Sequence, residues 1–292
     1  MNSYHILWTD PQVITLGVTS LFYLAATALS VVYLFSKDEK WSLWMLRLMG
    51  VGIVFHLACF GFRIHAFWQI PENRYFFPIN SFFGALSYLS LAIAGVFFIV
   101  EGRHRLGILG GFVLPWATIG AVSAVVFADP EVSGLSPALQ SYWINIHPMV
   151  LMTAYAAFGN AFGVGCALLI QEHQIKSRKP SELCYRLPSI EELDTLNYKI
   201  IVFGFPVLTV GIIMGGIWAY NAWGRFWGWD AKETWALITA LIYAGYLHMR
   251  FVKNLRGRKA VYVSMLGFAS VIFTFLGVNY LSELHGYLSG RG

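Results

Sequence analysis

The chain has 292 residues, of which 57% are hydrophobic and 12% are charged, and its mean hydropathy is +0.60. About a quarter of the residues of a soluble globular domain are charged, so this composition excludes an ordinary soluble domain and indicates a polytopic membrane protein. The net charge of +5 does not indicate nucleic-acid binding, because the position of each charge matters more than the sum in a membrane chain.

Eight apolar runs are each long enough to cross a bilayer, at roughly 20 residues per helix. The sequence therefore predicts an all-α integral membrane protein of about eight transmembrane helices, forming a single polytopic domain over residues 1–292. No basic region precedes the first run, so we expect that run to remain as a helix rather than to be cleaved as a signal peptide. The predicted spans are 12–35, 43–64, 79–100, 106–128, 148–171, 199–219, 233–252 and 261–283.

The basic residues lie mainly on one side of the predicted membrane. The segments after spans 1, 3, 5 and 7, with the adjoining helix ends, hold 15 of the 20 Lys and Arg residues, and the opposite side holds 5. Because cytoplasmic loops are enriched in Lys and Arg, both termini and the loop between spans 6 and 7 are expected on the outer face. In the long cytoplasmic loop at 172–198, Ser189 and Glu192 have capping-box spacing, which predicts that helix 6 begins before it enters the membrane.

The three cysteines, Cys59, Cys166 and Cys184, form no CxxC pair. We therefore expect neither a disulfide framework nor a metal site with cysteine ligands. The sequence also contains no HExxH motif, no Walker loop and no GxGxxG after a strand, so the common metalloprotease and nucleotide-binding sites are not indicated.

The loop between spans 6 and 7 contains the stretch WGRFWGWDAKETW, residues 223–235, with four of the chain's eleven tryptophans. One interpretation is an aromatic belt at the membrane interface. The alternative is a platform for a large flat ligand. A belt predicts tryptophans spread over both faces, whereas these four are packed into one loop.

Two histidines are expected at the level of this loop. His147 precedes Pro148, and proline suits the first turn of a helix, so His147 is expected at the start of span 5 on the outer face. His285 follows the end of span 8 on the same face. Interfacial histidines often bind nothing, so topology alone leaves a structural role and a ligand-binding role equally open.

Two other histidines fall within spans. His248 follows Asp230 by 18 residues, a rise of ~27 Å, which places it near the cytoplasmic boundary. An ionisable residue there indicates either an inner functional site or a side chain that snorkels to the interface. His56 lies deeper, in span 2, where we favour a hydrogen-bonded core histidine over a ligand.

A porphyrin would use these features together. Indole rings offer stacking faces, and two imidazoles can hold the iron from opposite sides. Asp230 and Glu233 would either orient the loop or pair with Arg225 and Lys232. Acids at this position also suit the N-terminal dipole of helix 7. The candidate partners of the propionates are Arg225, Lys232, Arg63 and Arg74, and the acids are Asp230 and Glu233.

The stretch WGRFWGWDAKETWALITALIYAGYLH resembles the WWD signature of the haem-handling proteins of cytochrome c maturation, and its KETWALIT part resembles the CcsA/ResC branch of system II. SYWINIHPMVLMTAYAAFGNAF resembles the first external-histidine segment of that family, and GVNYLSELHGY resembles the second. FFPINSFFGALSYLSLA is similar to an asparagine-containing segment of the family. The resemblance covers most of residues 60–290.

The resemblance implies roles for individual residues. His147 and His285 would be the axial ligands of haem iron at an outer site, and His248 would help to bind haem at an inner site within the membrane. The WWD haem-handling loop would span about 218–235, with a platform formed by Trp223, Trp227, Trp229 and Asp230 beside Arg225. No side chain is expected to act as a catalytic acid or base.

The resemblance also implies an activity and partners. Haem b would be transported as a substrate and presented on the outer face for thioether attachment to the CxxCH motif of apocytochrome c. The partners would be a CcsB/ResB-like membrane subunit, apocytochrome c and, indirectly, thiol-reducing proteins. The two subunits would form a holocytochrome c synthase in the cytoplasmic membrane of a bacterium or in a thylakoid-type membrane.

The chain departs from the family pattern at four positions near these segments. Ala231 stands where proline often follows the motif aspartate, Ala240 where tryptophan is frequent, and Pro148 where valine is usual. The segment NSFFGA lacks the acid of the family's NLYES-like segment. The alternative functions are a related haem exporter or chaperone without ligase activity, and a b-type electron carrier, which would need histidine pairs at equal depth.

Overall fold

A computed structural model describes residues 9–36, 38–104, 106–177 and 179–280. In these residues the chain is helical without β-strands, and eight helices are long and apolar enough to cross a membrane. The predicted fold class and the predicted number of spans are confirmed. The helices are α1 (Pro11–Phe35), α2 (Lys40–Trp68), α3 (Phe82–His104), α4 (Gly110–Phe127), α5 (Trp143–Lys176), α6 (Ile190–Trp223), α7 (Ala231–Lys253) and α8 (Arg258–Phe275).

Two long helices begin well before the predicted spans. α6 begins at Ile190 behind the capping box of Ser189 and Glu192, as the sequence predicts. α5 begins at Trp143, so Pro148 is its sixth residue and His147 lies in its second turn. The predicted placement of His147 at the start of the helix is therefore wrong. Proline is tolerated inside membrane helices because neighbouring groups satisfy the backbone carbonyl that it leaves unpaired.

The predicted end of the last span, at 283, is also wrong. α8 ends at Phe275, and a 3₁₀ turn at Gly277–Tyr280 follows it. The sequence remains apolar beyond the end of the helix, as at the buried Val278, although the backbone there is no longer α-helical. The hydropathy pattern therefore overestimates the length of the helix. Residues 281–292, including His285, lie outside the described part of the chain.

The central helix of the bundle is α5, which packs against α3, α4, α6 and α8. In its most apolar 18-residue window 72% of the residues are buried, against 17% for α7. Small residues permit this packing: a Cβ at Gly204 of α6 would lie 2.8 Å from the ring of Phe158, and one at Gly163 would lie 2.8 Å from the carbonyl oxygen of Phe112. Membrane helices associate largely through such close van der Waals contact. α5 and α6 are thus held close together along their length.

A buried ion pair joins α6 to α7 at the end of the bundle where α6 begins. Arg250 donates to both carboxylate oxygens of Asp194, at 2.9 and 2.5 Å, and the two side chains are only 8% and 7% exposed. Asp194 also accepts a hydrogen bond from the backbone N–H of Gly257, just before α8. A buried charge pair is tolerable when further hydrogen bonds satisfy its oxygens, as here. The three helices are thereby fixed relative to one another at this end.

Candidate functional site

A cavity of about 410 Å³ lies at the opposite end of the bundle. Its wall comes from the start of α5, the end of α6, the loop at 224–230, the start of α7, the end of α8 and the residues that precede α3. Ligand cavities are commonly of this size and mainly apolar, with a few polar groups. The residues on its wall include His147, Trp218, Trp223, Trp227, Lys232, Glu233 and Asn80.

The imidazole of His147 is fixed by α6. Its Nδ1 lies 2.9 Å from the carbonyl oxygen of Gly211. Because a carbonyl oxygen only accepts hydrogen bonds, Nδ1 carries the hydrogen, and in the neutral imidazole Nε2 carries the lone pair. Metal-binding histidines typically use this arrangement, in which one ring nitrogen donates to a carbonyl and the other binds the metal. A Cβ at Gly215 would lie 2.6 Å from Cε1 of His147, so the ring rests directly on the α6 backbone.

Tryptophans form a large part of the wall beside His147. The ring of Trp218 stacks near the imidazole, with centroids 6.4 Å apart and an interplanar angle of 11°. Its Nε1 donates to the carbonyl oxygen of Ala138 at 3.1 Å. Trp223 meets Trp218 edge to face at 4.7 Å, and Trp227 meets Trp229 edge to face at 5.9 Å. The cavity therefore offers flat aromatic surfaces next to a histidine whose tautomer suits metal binding.

The loop that carries Trp227 and Trp229 has a specific backbone path. Gly224 ends α6 in the left-handed region at φ 71°, and Trp229 adopts the same region at φ 58°. A bulky residue seldom occupies this region, and such strain persists only where the surrounding structure holds it. The Trp229 side chain is 69% exposed, and the described cavity wall contains Trp223 and Trp227 but not Trp229.

The acids of the motif hold this loop in place. Asp230 is the N-cap of α7, and Glu233 completes a capping box. Oε2 of Glu233 accepts hydrogen bonds from the backbone N–H groups of Gly228, at 2.7 Å, and Asp230, at 3.2 Å. Of the two roles that the sequence left open for these acids, the hydrogen bonds favour orientation of the loop. The exposed side chain of Arg225 packs against the backbone of Gly228, where a Cβ would collide with its guanidinium.

The basic residues proposed as partners of the propionates have different surroundings in the structure. Lys232 lies on the cavity wall. The expectation that Arg63 meets a propionate is wrong, because Arg63 is 1% exposed and donates instead to protein acceptors. Arg74 lies over the ring of Tyr75, 5.4 Å from its centroid. The Arg63 acceptors are the carbonyl oxygens of Pro78 and Pro130, Oε1 of Gln12 and Oγ of Ser81.

The two membrane histidines differ from each other. His56 is fully buried, with Nδ1 3.3 Å from the Tyr23 hydroxyl and Nε2 2.9 Å from Oγ of Ser87. The expectation that it is a hydrogen-bonded core histidine is confirmed. His248 is exposed on α7, far along the helix from the cavity.

Sequence reasoning did not single out four residues of this site, although Trp218 falls at the edge of the loop predicted at about 218–235. Gly211, Gly215 and Trp218 are spaced by four and three residues, so they share one face of α6, and that face receives His147. Their helical spacing was the available signal. Asn80, which precedes α3, is the fourth addition, and it falls in the asparagine-containing segment that the sequence analysis noted.

Known proteins resemble this chain over most of its length. The family model described as cytochrome C assembly protein matches residues 79–285. Proteins named cytochrome c biogenesis protein CcsA are similar to it: that of Guillardia theta is 35% identical over 251 residues, covering 79% of this chain and 83% of the relative. That of Prochlorococcus marinus (strain MIT 9301) is 36% identical over 244 residues, covering 75% and 78%. That of Trieres chinensis is 29% identical over 300 residues, covering 91% and 95%.

Among solved structures, one named cytochrome c heme lyase CcmF shares the fold. The TM-score is 0.71 at 16% sequence identity, and the match covers 91% of this chain but 47% of that one. The family model covers well over half of the chain. The part that it matches contains all the residues of the cavity wall, Asn80 included. The chain belongs to the cytochrome c assembly protein family.

Proposed function

We propose that this multi-pass membrane protein handles haem for cytochrome c maturation. The observation that carries the proposal is the cavity in which His147, in the tautomer that leaves a lone pair on Nε2, lies against a tryptophan wall. Membership of the cytochrome c assembly family and similarity to CcsA proteins support the same role.

The cavity suits haem b as a transported substrate. Trp218, Trp223 and Trp227 give apolar faces for the ring, and His147 is the axial ligand of the iron. His285 is the second axial ligand in this proposal. Phe275, on the cavity wall, precedes His285 by ten residues in the sequence. Lys232 brings positive charge to the wall for the propionates.

An inner haem site at His248 is the second part of the proposal. Leu241 and His248 lie seven residues apart, two helical turns, and both are exposed on α7 together with Phe251 and Val252. This face is uncovered by the described helices, and α7 is the least buried helix of the bundle. A CcsB/ResB-like membrane subunit would cover the face and supply the other ligand to an iron held by His248.

The protein's part in the reaction is ligation and positioning. A thioether forms when a cysteine S–H of the CxxCH motif adds across a haem vinyl C=C, so the sulfur bonds to one carbon and the hydrogen goes to the other. The step consumes no oxidant, but it requires reduced thiols, which is where thiol-reducing proteins enter. The CxxCH histidine would displace one of the two axial histidines, and fixed geometry would favour the addition.

The outer face of the cytoplasmic or thylakoid-type membrane is the proposed location of this chemistry. The basic residues that concentrate at the opposite end of the bundle support this orientation. In it, both termini are outside, and haem passes from the level of His248 to the cavity at His147.

The test is the absorption spectrum of the purified protein and of its His147→Gly variant. We expect the wild type to carry haem with a bis-histidine spectrum and the variant to lose that spectrum together with cytochrome c yield. His65→Gly is the matched control, because His65 is an exposed histidine at the same end of the bundle, outside the cavity wall. An unchanged spectrum and yield in His147→Gly would show that the cavity is not the haem site.

The inner site is tested in a background without the outer ligand. We expect His147→Gly to retain a smaller amount of haem, and the His147→Gly, His248→Gly double variant to lose it. Equal haem content in the single and double variants would remove His248 from the proposal and leave the outer site untouched.

A further inference from the structure

An asparagine on the cavity wall has a buried polar atom without a hydrogen-bond partner. Asn80 lines the cavity, and its Oδ1 is buried but accepts no hydrogen bond from the described residues. Buried polar atoms are nearly always satisfied in native proteins, so an unsatisfied one calls for an explanation. We infer that Asn80 is a specificity-determining residue that hydrogen-bonds a propionate of the haem, an inference that rests on the proposed function.

The side-chain amide of Asn80 is able to form a hydrogen bond with a carboxylate. No hydrogen bond among the described residues fixes the orientation of the Asn80 amide. Its oxygen and nitrogen exchange places by rotation about the Cβ–Cγ bond, and the two atoms are assigned from hydrogen bonds rather than observed. The amide of Asn80 can therefore present an N–H donor to an ionised carboxylate or an oxygen acceptor to a protonated one.

The backbone around Asn80 is held rigidly. Arg63 donates from Nε to the carbonyl oxygen of Pro78 at 3.1 Å and from Nη2 to Oγ of Ser81 at 2.7 Å, so it grips the chain on both sides of Asn80. Oγ of Ser81 in turn accepts a hydrogen bond from the backbone N–H of Gly84 at 3.1 Å. A side chain that contacts a ligand from a fixed backbone loses little conformational freedom on binding.

Three other polar side chains of the wall are engaged with the protein. His147 donates to Gly211, Glu233 accepts from two backbone N–H groups, and Thr274 donates to the carbonyl oxygen of Ser270 at 2.7 Å. Asn80 differs from them because its buried oxygen has no such contact. A ligand in the cavity would explain why the amide oxygen of Asn80 has no hydrogen-bond partner among the described residues.

The chemistry of haem identifies which ligand group Asn80 meets. The four pyrrole nitrogens bind the iron, and the vinyl and methyl substituents form no conventional hydrogen bonds. The two propionates are the hydrogen-bonding groups that remain. The positive charge of Lys232 on the same wall also favours a carboxylate in the cavity.

The experiment compares haem with its dimethyl ester, in which both carboxyl groups are masked. The full-length protein, stripped of haem in detergent, is titrated with each ligand in the wild type, Asn80→Ala and Asn80→Asp. We expect Asn80→Ala to bind haem about tenfold more weakly, the loss typical of one hydrogen bond to a charged group, and to bind the diester as the wild type does. Asn80→Asp should bind haem more weakly still, because two carboxylates repel each other.

The outcomes separate this inference from the proposed function. Equal losses for haem and diester, no loss for either, or loss of cytochrome c attachment at unchanged haem affinity would each overturn the role of Asn80. A wild type that binds haem without dependence on His147 would instead overturn the proposed function. Asn221→Ala is the control, since Asn221 is an exposed asparagine near the end of α6 that donates to Ile217 of its own helix. Thermal unfolding of each variant checks that the fold is kept.

Discussion

At the scale of single residues, the tautomer and orientation of His147 depend on α6 rather than on its own helix. The Gly211 carbonyl selects the tautomer, and the absence of a side chain at Gly215 leaves room for the ring. A histidine at the same place without these contacts would choose between two tautomers and several rotamers. The two glycines therefore fix the orientation of the imidazole, and in the proposed haem site they would act on the iron through it.

Gly215→Ala tests this dependence. A methyl group at this position would lie 2.6 Å from Cε1 of His147, closer than real Cβ contacts, so the imidazole must shift. We expect about tenfold weaker haem binding, which corresponds to roughly 1.4 kcal/mol, and a displaced Soret band. The measurement is a haem titration followed by absorption spectroscopy.

A matched glycine provides the control. Gly61 lies in α2, and a Cβ there meets nothing within 4 Å. Gly61→Ala should therefore leave haem affinity unchanged. If Gly215→Ala binds haem as Gly61→Ala does, then the packing of His147 on Gly215 is not what orients its ring.

At the scale of elements, the junction of α6 and α7 presents the tryptophans. α6 ends at Gly224 in the left-handed conformation, and α7 begins at Asp230 with a capping box, so a short loop is fixed at both ends. The side chain of Phe226 within the loop packs onto α6, where a Cβ at Gly216 would lie 2.5 Å from its ring. The strained backbone of Trp229 is held by these contacts.

Asp230 is predicted to act as a helix cap rather than as a ligand-binding charge. Asparagine caps helices as well as aspartate does, whereas alanine does not. Asp230→Asn should therefore keep both thermal stability and haem occupancy, and Asp230→Ala should lose roughly 1 kcal/mol of stability and part of the haem, because the loop loosens. Thermal unfolding and the haem-to-protein ratio measure the two effects. Loss of haem in Asp230→Asn at unchanged stability would show that the negative charge itself is needed.

At the scale of the whole molecule, hydropathy was sufficient to predict the eight helices, and local capping signals were sufficient for the start of α6. The start of α5 escaped prediction because a proline typical of first turns lies in the helix interior. The end of α8 escaped because apolar residues continue past it. Neither a proline nor a run of apolar residues shows which backbone hydrogen bonds begin or end a helix, so the bounds of these two helices could not be predicted from them.

The site was predictable in part, for a related reason. The tryptophan-rich stretch and His147 are visible as local patterns, and they do meet in one cavity. The partners of Arg63 were not predictable, because they come from three segments of the chain, those of Gln12, of Pro78 and Ser81, and of Pro130. The contact between His147 and Gly215 likewise depends on how α5 and α6 pack. Such contacts are properties of the tertiary structure and leave no local signature.

Orientation in the membrane is the property of the whole molecule on which the proposed direction of haem transfer depends. The structure gives two exposed tyrosines at opposite ends of the bundle: Tyr142, 71% exposed beside the cavity end of α5, and Tyr185, 79% exposed just before α6. Either position replaced by cysteine, in a background in which Cys59, Cys166 and Cys184 are substituted, reports its side by reaction with a membrane-impermeant thiol reagent.

We expect Tyr142→Cys to react in intact cells and Tyr185→Cys to react only after the membrane is permeabilised. The physical reason is the concentration of Lys and Arg at the Tyr185 end, which resists transfer across the membrane during insertion. Reaction of both variants after permeabilisation is the control for accessibility. The reverse pattern would place His147 and the tryptophan loop on the cytoplasmic side, and haem presented there would be separated by the bilayer from an apocytochrome outside.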